Sequence, residues 1–189
     1  EFGGELSFDE LTKLAQPIPA GSDGVIFLPY MAGERSPIWN PDAKGVYYGL
    51  GFDKTKGHLV RATLEGVAFS LEHNLRVAAE TGAKVGELTA MGGASNSRLW
   101  TQIKADVTGK TIHVPASDTA TTLGAAILAG VGVGLYESFD QAVKETVVIT
   151  RTQEPDMERH GEYQKYMEMY LSLGEALAPV FEAKVEHVL

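Results

Sequence analysis

Short β-prone runs alternate with longer segments of helical periodicity along this chain, and that alternation restricts the fold more than any other feature. A short helix is expected first, capped by Ser7 with Glu10 at the capping-box position and running to about Ala15. Strands are expected at 25–28 and 45–50, separated by an irregular stretch that carries Gly33, Pro37 and Pro41. A long helix over 57–80 follows, because Val60, Leu64, Val67, Leu71, Leu75 and Ala78 recur every three or four residues. Arg61–Glu65, Glu72–Arg76 and Arg76–Glu80 are opposite-charge pairs at i, i+4 and are expected on the other side. Downstream the pattern gives a strand at 88–91, helix 96–107, strand 111–114, helices 119–131 and 138–145, strand 146–150 and a last helix over 156–177. That last helix has the stripe Tyr163, Tyr166, Met167, Tyr170, Leu173 and Leu177, and Pro179 should end or kink it. Strands that alternate with helices in this way imply an α/β domain with a partly parallel sheet, the first two strands pairing antiparallel.

Length and composition narrow the function. The 189 residues suit a single domain. With no cysteine, a disulfide framework, a thiolate zinc site and a cysteine nucleophile are all excluded. A net charge of −9 without a basic run speaks against nucleic acid or anionic lipid as partner. The longest apolar run, 123–135, is too short for a bilayer span of about 20 residues, so no membrane partner is expected. No Lys/Arg-led apolar segment opens the sequence, so no signal peptide is expected either. His58, His73, His113, His160 and His187 never fall at i, i+4 on one predicted helix, and no metal site is expected.

Glycine is in excess, at 21 residues, where about 7% is usual. The sharpest cluster is Met91-Gly92-Gly93-Ala94-Ser95-Asn96-Ser97-Arg98, between a predicted strand and a predicted helix. Two glycines there remove side chains where a strand ends, so a flat ligand can lie on bare backbone. Ser95, Asn96 and Ser97 all cap helices well, leaving helix N–H groups to face an acceptor or anion. A tight capped turn with no ligand fits the same residues. The segment 119–126 reads either as tight helix packing through Gly124, Ala125 and Ala129 or as a border of the same pocket. Glu34 and Arg35 read either as a structural ion pair or as a face for a substrate or partner domain. Trp39 and Trp100 are expected in the core or at an interface. Gly109-Lys110-Thr111 is no P-loop, since Lys104 stands where the pattern needs glycine; Gly109 is expected to cap a helix. Asp53, Asp106 and Asp118 cannot be nominated as general bases from spacing.

Taken together, FLPYMAGERSPIWNPDAKGVYYGL (27–50), RATLEGVAFSL (61–71), MGGASNSRLWTQIKADVTGKTIHVP (91–115) and TLGAAILAGVGVG (122–134) resemble the C-terminal domain of the FGGY carbohydrate kinases, and look most like the xylulokinases among them. The resemblance implies a ribonuclease-H-like fold of the actin/sugar-kinase type, an α/β domain with a mixed sheet flanked by helices. It implies ATP and Mg²⁺ as cofactors and transfer of the γ-phosphoryl group to a sugar hydroxyl, a pentulose such as xylulose. Gluconate, glycerol or another polyol is the alternative substrate, and a non-catalytic actin-like nucleotide-binding module the alternative role. The family's adenosine-binding stretch falls on Gly92, Gly93 and Ser97, with Ala94 and Asn96 beside them. Residues 1–189 would be one domain, a fragment lacking the N-terminal kinase domain that is its partner. The catalytic base is expected in that missing part, so none is assigned here. A cytoplasmic location, a sugar substrate and room for a homodimer complete the expectation.

Overall fold

Helix α2 (Lys56–Glu80) is the centre of the molecule: α1, β1, α3 and α6 all pack on it. The computed structural model describes residues 6–116 and 120–183. Ahead of α2, α1 (Phe8–Ala15) starts at the expected capping box. Ser7 N–H donates to Glu10 Oε2 at 2.8 Å, and Glu10 N–H donates to Ser7 Oγ at 3.3 Å. β1 (Ile26–Leu28) is wholly buried and pairs antiparallel with β2 (Val46–Tyr48), as its apolar sequence and the long intervening loop require. Gly66 lets α2 lie directly on the Phe27 carbonyl of β1.

A second sheet has the order β3 (Glu87–Thr89), β4 (Thr111–Pro115), β5 (Ile149–Gln153). β3 and β4 run parallel, and β5 is antiparallel to β4. Helix α3 (Arg98–Thr108) ends on Gly109, whose φ of 63° makes it the expected helix cap. α4 (Ala120–Gly132) and α5 (Phe139–Thr146) pack on each other, and α6 (Met157–Glu182) returns across the molecule. The core joins Leu28, Leu64, Phe69, Ile103, Tyr163 and Met167. Among the described residues, no helix is long and apolar enough to cross a membrane.

Four expectations need correction. The helix expected over 96–107 begins at Arg98, after a separate 3-10 turn, Gly93–Asn96. The strand expected at 146–150 is displaced to Ile149–Gln153. The β-branched start of that run closes α5 instead, with Thr146 Oγ1 donating to the Ala142 carbonyl and Val147 N–H to the Val143 carbonyl. α6 does not end at Pro179, one of the two outcomes expected there, but runs through it to Glu182. Proline deletes one backbone bond there, to the Glu175 carbonyl, and both residues lie on the exposed side of the helix, where the loss is cheapest. The Arg61–Glu65 pair is buried, at 5% and 1% exposure, rather than facing solvent. α2 is enclosed on several sides along its first half, and both charges find partners inside. Arg61 Nε donates to Glu65 Oε1 at 2.7 Å, and the Tyr163 hydroxyl donates to the same oxygen.

Candidate functional site

The glycine pair leaves the carboxyl end of β3 and enters the 3-10 turn that leads to α3. Gly92 has φ 83° and ψ 174°, a conformation essentially restricted to glycine. Its carbonyl is held twice by Ser95, from the backbone N–H at 2.9 Å and from the hydroxyl at 2.7 Å. Because the peptide is planar and trans, fixing that carbonyl toward buried Ser95 turns the Gly93 N–H the opposite way. Gly93 is exposed, and among the described residues nothing lies within 4 Å of where a Cβ would stand on either glycine. The result is a stretch of bare backbone with open space in front of it.

The other proposed residues fall on the same loop in different settings. Ala94 is half-buried and Asn96 exposed. Ser97 is the N-cap of α3: its Oγ accepts the Trp100 N–H at 3.2 Å, and its carbonyl accepts the Thr101 N–H at 3.0 Å. The start of α3 is therefore partly satisfied by its own cap, and the intervening 3-10 turn separates it from the glycines. This corrects the expectation of a helix N-terminus offered directly to an anion.

A cavity of about 190 Å³ opens beside the loop, lined by Thr89, Met91, Pro115, Ala120, Leu123 and Gly124 among others. The start of α4 thus borders the pocket next to the glycine pair, while the glycines themselves form its neighbour rather than its wall. Among the described residues, Gly124 meets no atom within 4 Å of a built Cβ and so does not serve close packing, whereas Gly130, further along α4, is crowded by Tyr136. Thr119, where this helix was expected to begin, and Asp118 and His187 lie outside the described residues.

Sequence reasoning missed Arg151 and Thr101. Arg151 sits on β5 opposite Val114, on the sheet face that receives α3. One of its guanidinium nitrogens, Nη2, donates to the Ser95 carbonyl and to Thr101 Oγ1, the latter at 3.3 Å. Inward alternation along β5 carries the signal, but it is readable only with the strand in its true register.

The remaining candidates have structural settings. The Glu34 carboxylate accepts the backbone N–H groups of Arg35 and Ser36 at 2.8 and 3.1 Å, so it shapes its loop through the backbone. It also lines a larger cavity of about 300 Å³ between that loop and α6, with Tyr30, His73, Gly174 and Phe181, away from the glycine pair. Trp39 is 76% exposed and so lies outside the core, whereas Trp100 is half-buried and donates from Nε1 to the Leu64 carbonyl at 3.1 Å. Asp53 pairs with Lys54 at 2.7 Å on the surface. Asp106 is buried, and burial holds its carboxyl above the usual range. It accepts from Gln102 and from the Asp156 N–H at 2.7 and 2.8 Å, tying α3 to the start of α6. Among the described residues, no three His, Asp or Glu side chains converge to hold a metal ion.

Comparison with known proteins gives the family and the fold. Residues 4–133 match the model of the FGGY family of carbohydrate kinases, C-terminal domain. A gluconokinase of Bacillus licheniformis is 38% identical over 90% of this chain and 33% of its own length. A xylulose kinase of Staphylococcus epidermidis is 32% identical over 87% of this chain and 33% of its own. The ligand-bound xylulose kinase structure from Lactobacillus acidophilus superposes with a TM-score of 0.88 at 28% identity, covering 96% of this chain and 37% of that one. The chain thus spans about a third of the length of these relatives. The expected actin/ribonuclease-H-like fold, with a mixed sheet flanked by helices, is the one observed. On the match over most of its length, the chain belongs to the FGGY family of carbohydrate kinases, as a C-terminal domain.

Proposed function

We propose that this chain is the nucleotide-side half of an ATP-dependent sugar kinase, which transfers the γ-phosphoryl group of ATP to a sugar hydroxyl. The open glycine pair carries the reading: Gly92 in a glycine-only conformation and Gly93 exposed, both uncrowded among the described residues, at the carboxyl end of a parallel strand. Gly92 and Gly93 let adenosine approach the backbone, and Ala94 keeps the turn low. Asn96 offers its amide to the nucleoside, and Ser97 fixes the start of α3 and so the direction of the loop. The mainly apolar cavity beside Met91 suits the face of a purine. ATP supplies the phosphoryl group; these residues bind and orient its nucleoside end.

Phosphoryl transfer depends on positioning and on electrostatic stabilisation of an in-line displacement. No catalytic residue is assigned to this chain. In the proposal, residues 1–189 form one domain that closes a cleft with an N-terminal kinase domain, which holds the base, the phosphate loop and most sugar contacts. No cluster of three metal-ligating side chains stands among the described residues, and none of them is given a role in holding Mg²⁺. The enzyme is placed in the cytoplasm, with a homodimer compatible with the reading. The substrate is a pentulose such as xylulose. Gluconate is the second reading, favoured by the 38% identity to the gluconokinase.

Calorimetric titration of ADP into the wild-type chain and Gly93→Trp tests the site. The indole should fill the approach and abolish binding; equal affinity overturns the assignment. A coupled assay of the longer enzyme with xylulose and gluconate separates the substrates. The chain alone should show no turnover.

A further inference from the structure

We propose that Arg151 is a positioning residue for the nucleotide loop: its guanidinium brackets the 3-10 turn against the first turn of α3 and so holds the glycine pair open. This rests on the reading of residues 92–97 as the adenosine-binding loop. Arg151 lies outside the stretch 4–133 that matches the family model. It is the one side chain from outside 92–101 that hydrogen-bonds to the 92–97 backbone, among the described residues.

The bracket has three parts. Arg151 Nη2 donates to the Ser95 carbonyl, which belongs to the 3-10 turn. The same nitrogen donates to Thr101 Oγ1 at 3.3 Å, and that hydroxyl in turn donates to the Ser97 and Arg98 carbonyls at 2.9 and 3.1 Å. Ser95 and Thr101 are both buried, at 4% and 0% exposure, so the links are shielded from water. Ser95 also holds the Gly92 carbonyl from two donors. Arg151, Ser95 and Gly92 therefore form one chain of contacts from β5 to the ligand face.

The arrangement has a cost. Arg151 Nε is buried with no hydrogen-bond partner among the described residues, and Arg98 places a second positive charge nearby. An unmet buried donor is destabilising. Burial and the Arg98 charge both hold the guanidinium below the usual arginine range, though at neutral pH it stays charged. Thr150 and Thr152, its neighbours along β5, lie on the other, exposed face of the strand. An arginine here buys the charged reach to Ser95 and Thr101, which a threonine lacks.

ADP titration of the wild-type chain, Gly93→Trp, Arg151→Gln and Arg151→Lys tests the proposal, with hydrogen exchange followed at the 93–97 amides. Arg151→Gln should weaken ADP about tenfold, the worth of one charge-assisted hydrogen bond. The loop amides should exchange faster while the urea midpoint stays close to wild type. Arg151→Lys keeps one charged donor and should recover part of both effects. Wild-type ADP affinity and wild-type loop exchange in Arg151→Gln overturn the role of Arg151. So does a loss of affinity that only follows a loss of global stability. If Gly93→Trp binds ADP as the wild type does, the loop reading itself falls; if Gly93→Trp abolishes binding and Arg151→Gln does not, only the bracket falls.

Discussion

Glu65 and Tyr163 stand 98 positions apart and meet in the core, the phenol donating to the carboxylate Oε1 at 2.8 Å. The same oxygen takes Arg61 Nε at 2.7 Å and the Gly21 N–H at 3.0 Å, while Arg61 Nη2 donates to the phenol oxygen at 2.7 Å. One carboxylate thus ties the loop before β1 to α2 and α6. Burial raises its carboxyl above the usual range, and Arg61 opposes that by favouring the charged form. Burial beside this carboxylate pushes the Tyr163 phenol up as well, so it acts as a neutral donor. Tyr163→Phe removes that donor from Glu65 and an acceptor from Arg61. It should destabilise the chain by about 1–3 kcal/mol in urea unfolding. Arg61→Met leaves the buried carboxylate without its charge partner and should cost more, about 3–5 kcal/mol. If Arg61→Met costs no more than Tyr163→Phe, the charge pairing is not what holds the network.

Gly66 sets two effects against each other. Alanine in a helix interior is favoured over glycine by about 1 kcal/mol. At this position the added methyl would sit on the Phe27 carbonyl of β1, closer than real contacts allow, and a strand carbonyl has little room to yield. Overpacking of this kind costs about 1–3 kcal/mol. The steric term should win, so Gly66→Ala lowers the urea midpoint. A raised midpoint would show that β1 can move away from α2.

Most of the fold was legible because its signals are local. The Ser7 cap, the Gly109 stop and the periodicity of α2 each depend on a few neighbouring residues. What escaped depends on distance in the chain. Arg61 and Glu65 look like a surface pair at i, i+4, and only Tyr163 and Gly21, brought in by α6 and the early loop, make their burial tolerable. The glycine pair could be read as an opening for a ligand, since missing side chains show in the sequence. Its support could not: Ser95 and Arg151 become partners through the antiparallel register of β5, which the β-branched run at its start disguises.

Gly92 separates backbone strain from crowding. A Cβ there would meet nothing within 4 Å among the described residues, yet φ 83° with ψ 174° is open essentially to glycine alone. Gly92→Ala should therefore cost about 1–3 kcal/mol through strain. The loop escapes part of that by rotating the 92–93 peptide, which breaks the two Ser95 contacts to the Gly92 carbonyl. ADP affinity should fall with stability, and exchange at the Ser95 amide should rise. An alanine variant with wild-type stability and wild-type exchange would mean that this conformation is not needed.

Asp156 gives a pH dependence with a definite sign. It caps α6, its Oδ1 accepting the N–H groups of Glu158 and Arg159 at 3.0 and 3.1 Å, and its Oδ2 accepting Arg159 Nε at 3.1 Å. The Arg159 N–H above all holds its carboxyl below the ordinary value of 3.8. A folded value below the unfolded one means that the unfolded chain binds the proton more readily. The contribution is then fully present above the unfolded value and is lost as pH falls through the folded one. Asn is as good a cap but carries no charge to favour the helix N-terminus. Wild type should exceed Asp156→Asn in stability at neutral pH, and the gap should close below about pH 4 as the carboxylate is protonated. Urea unfolding of both proteins across this range measures the gap directly. A gap that stays constant into acid would show that the cap works through hydrogen bonds alone, without its charge.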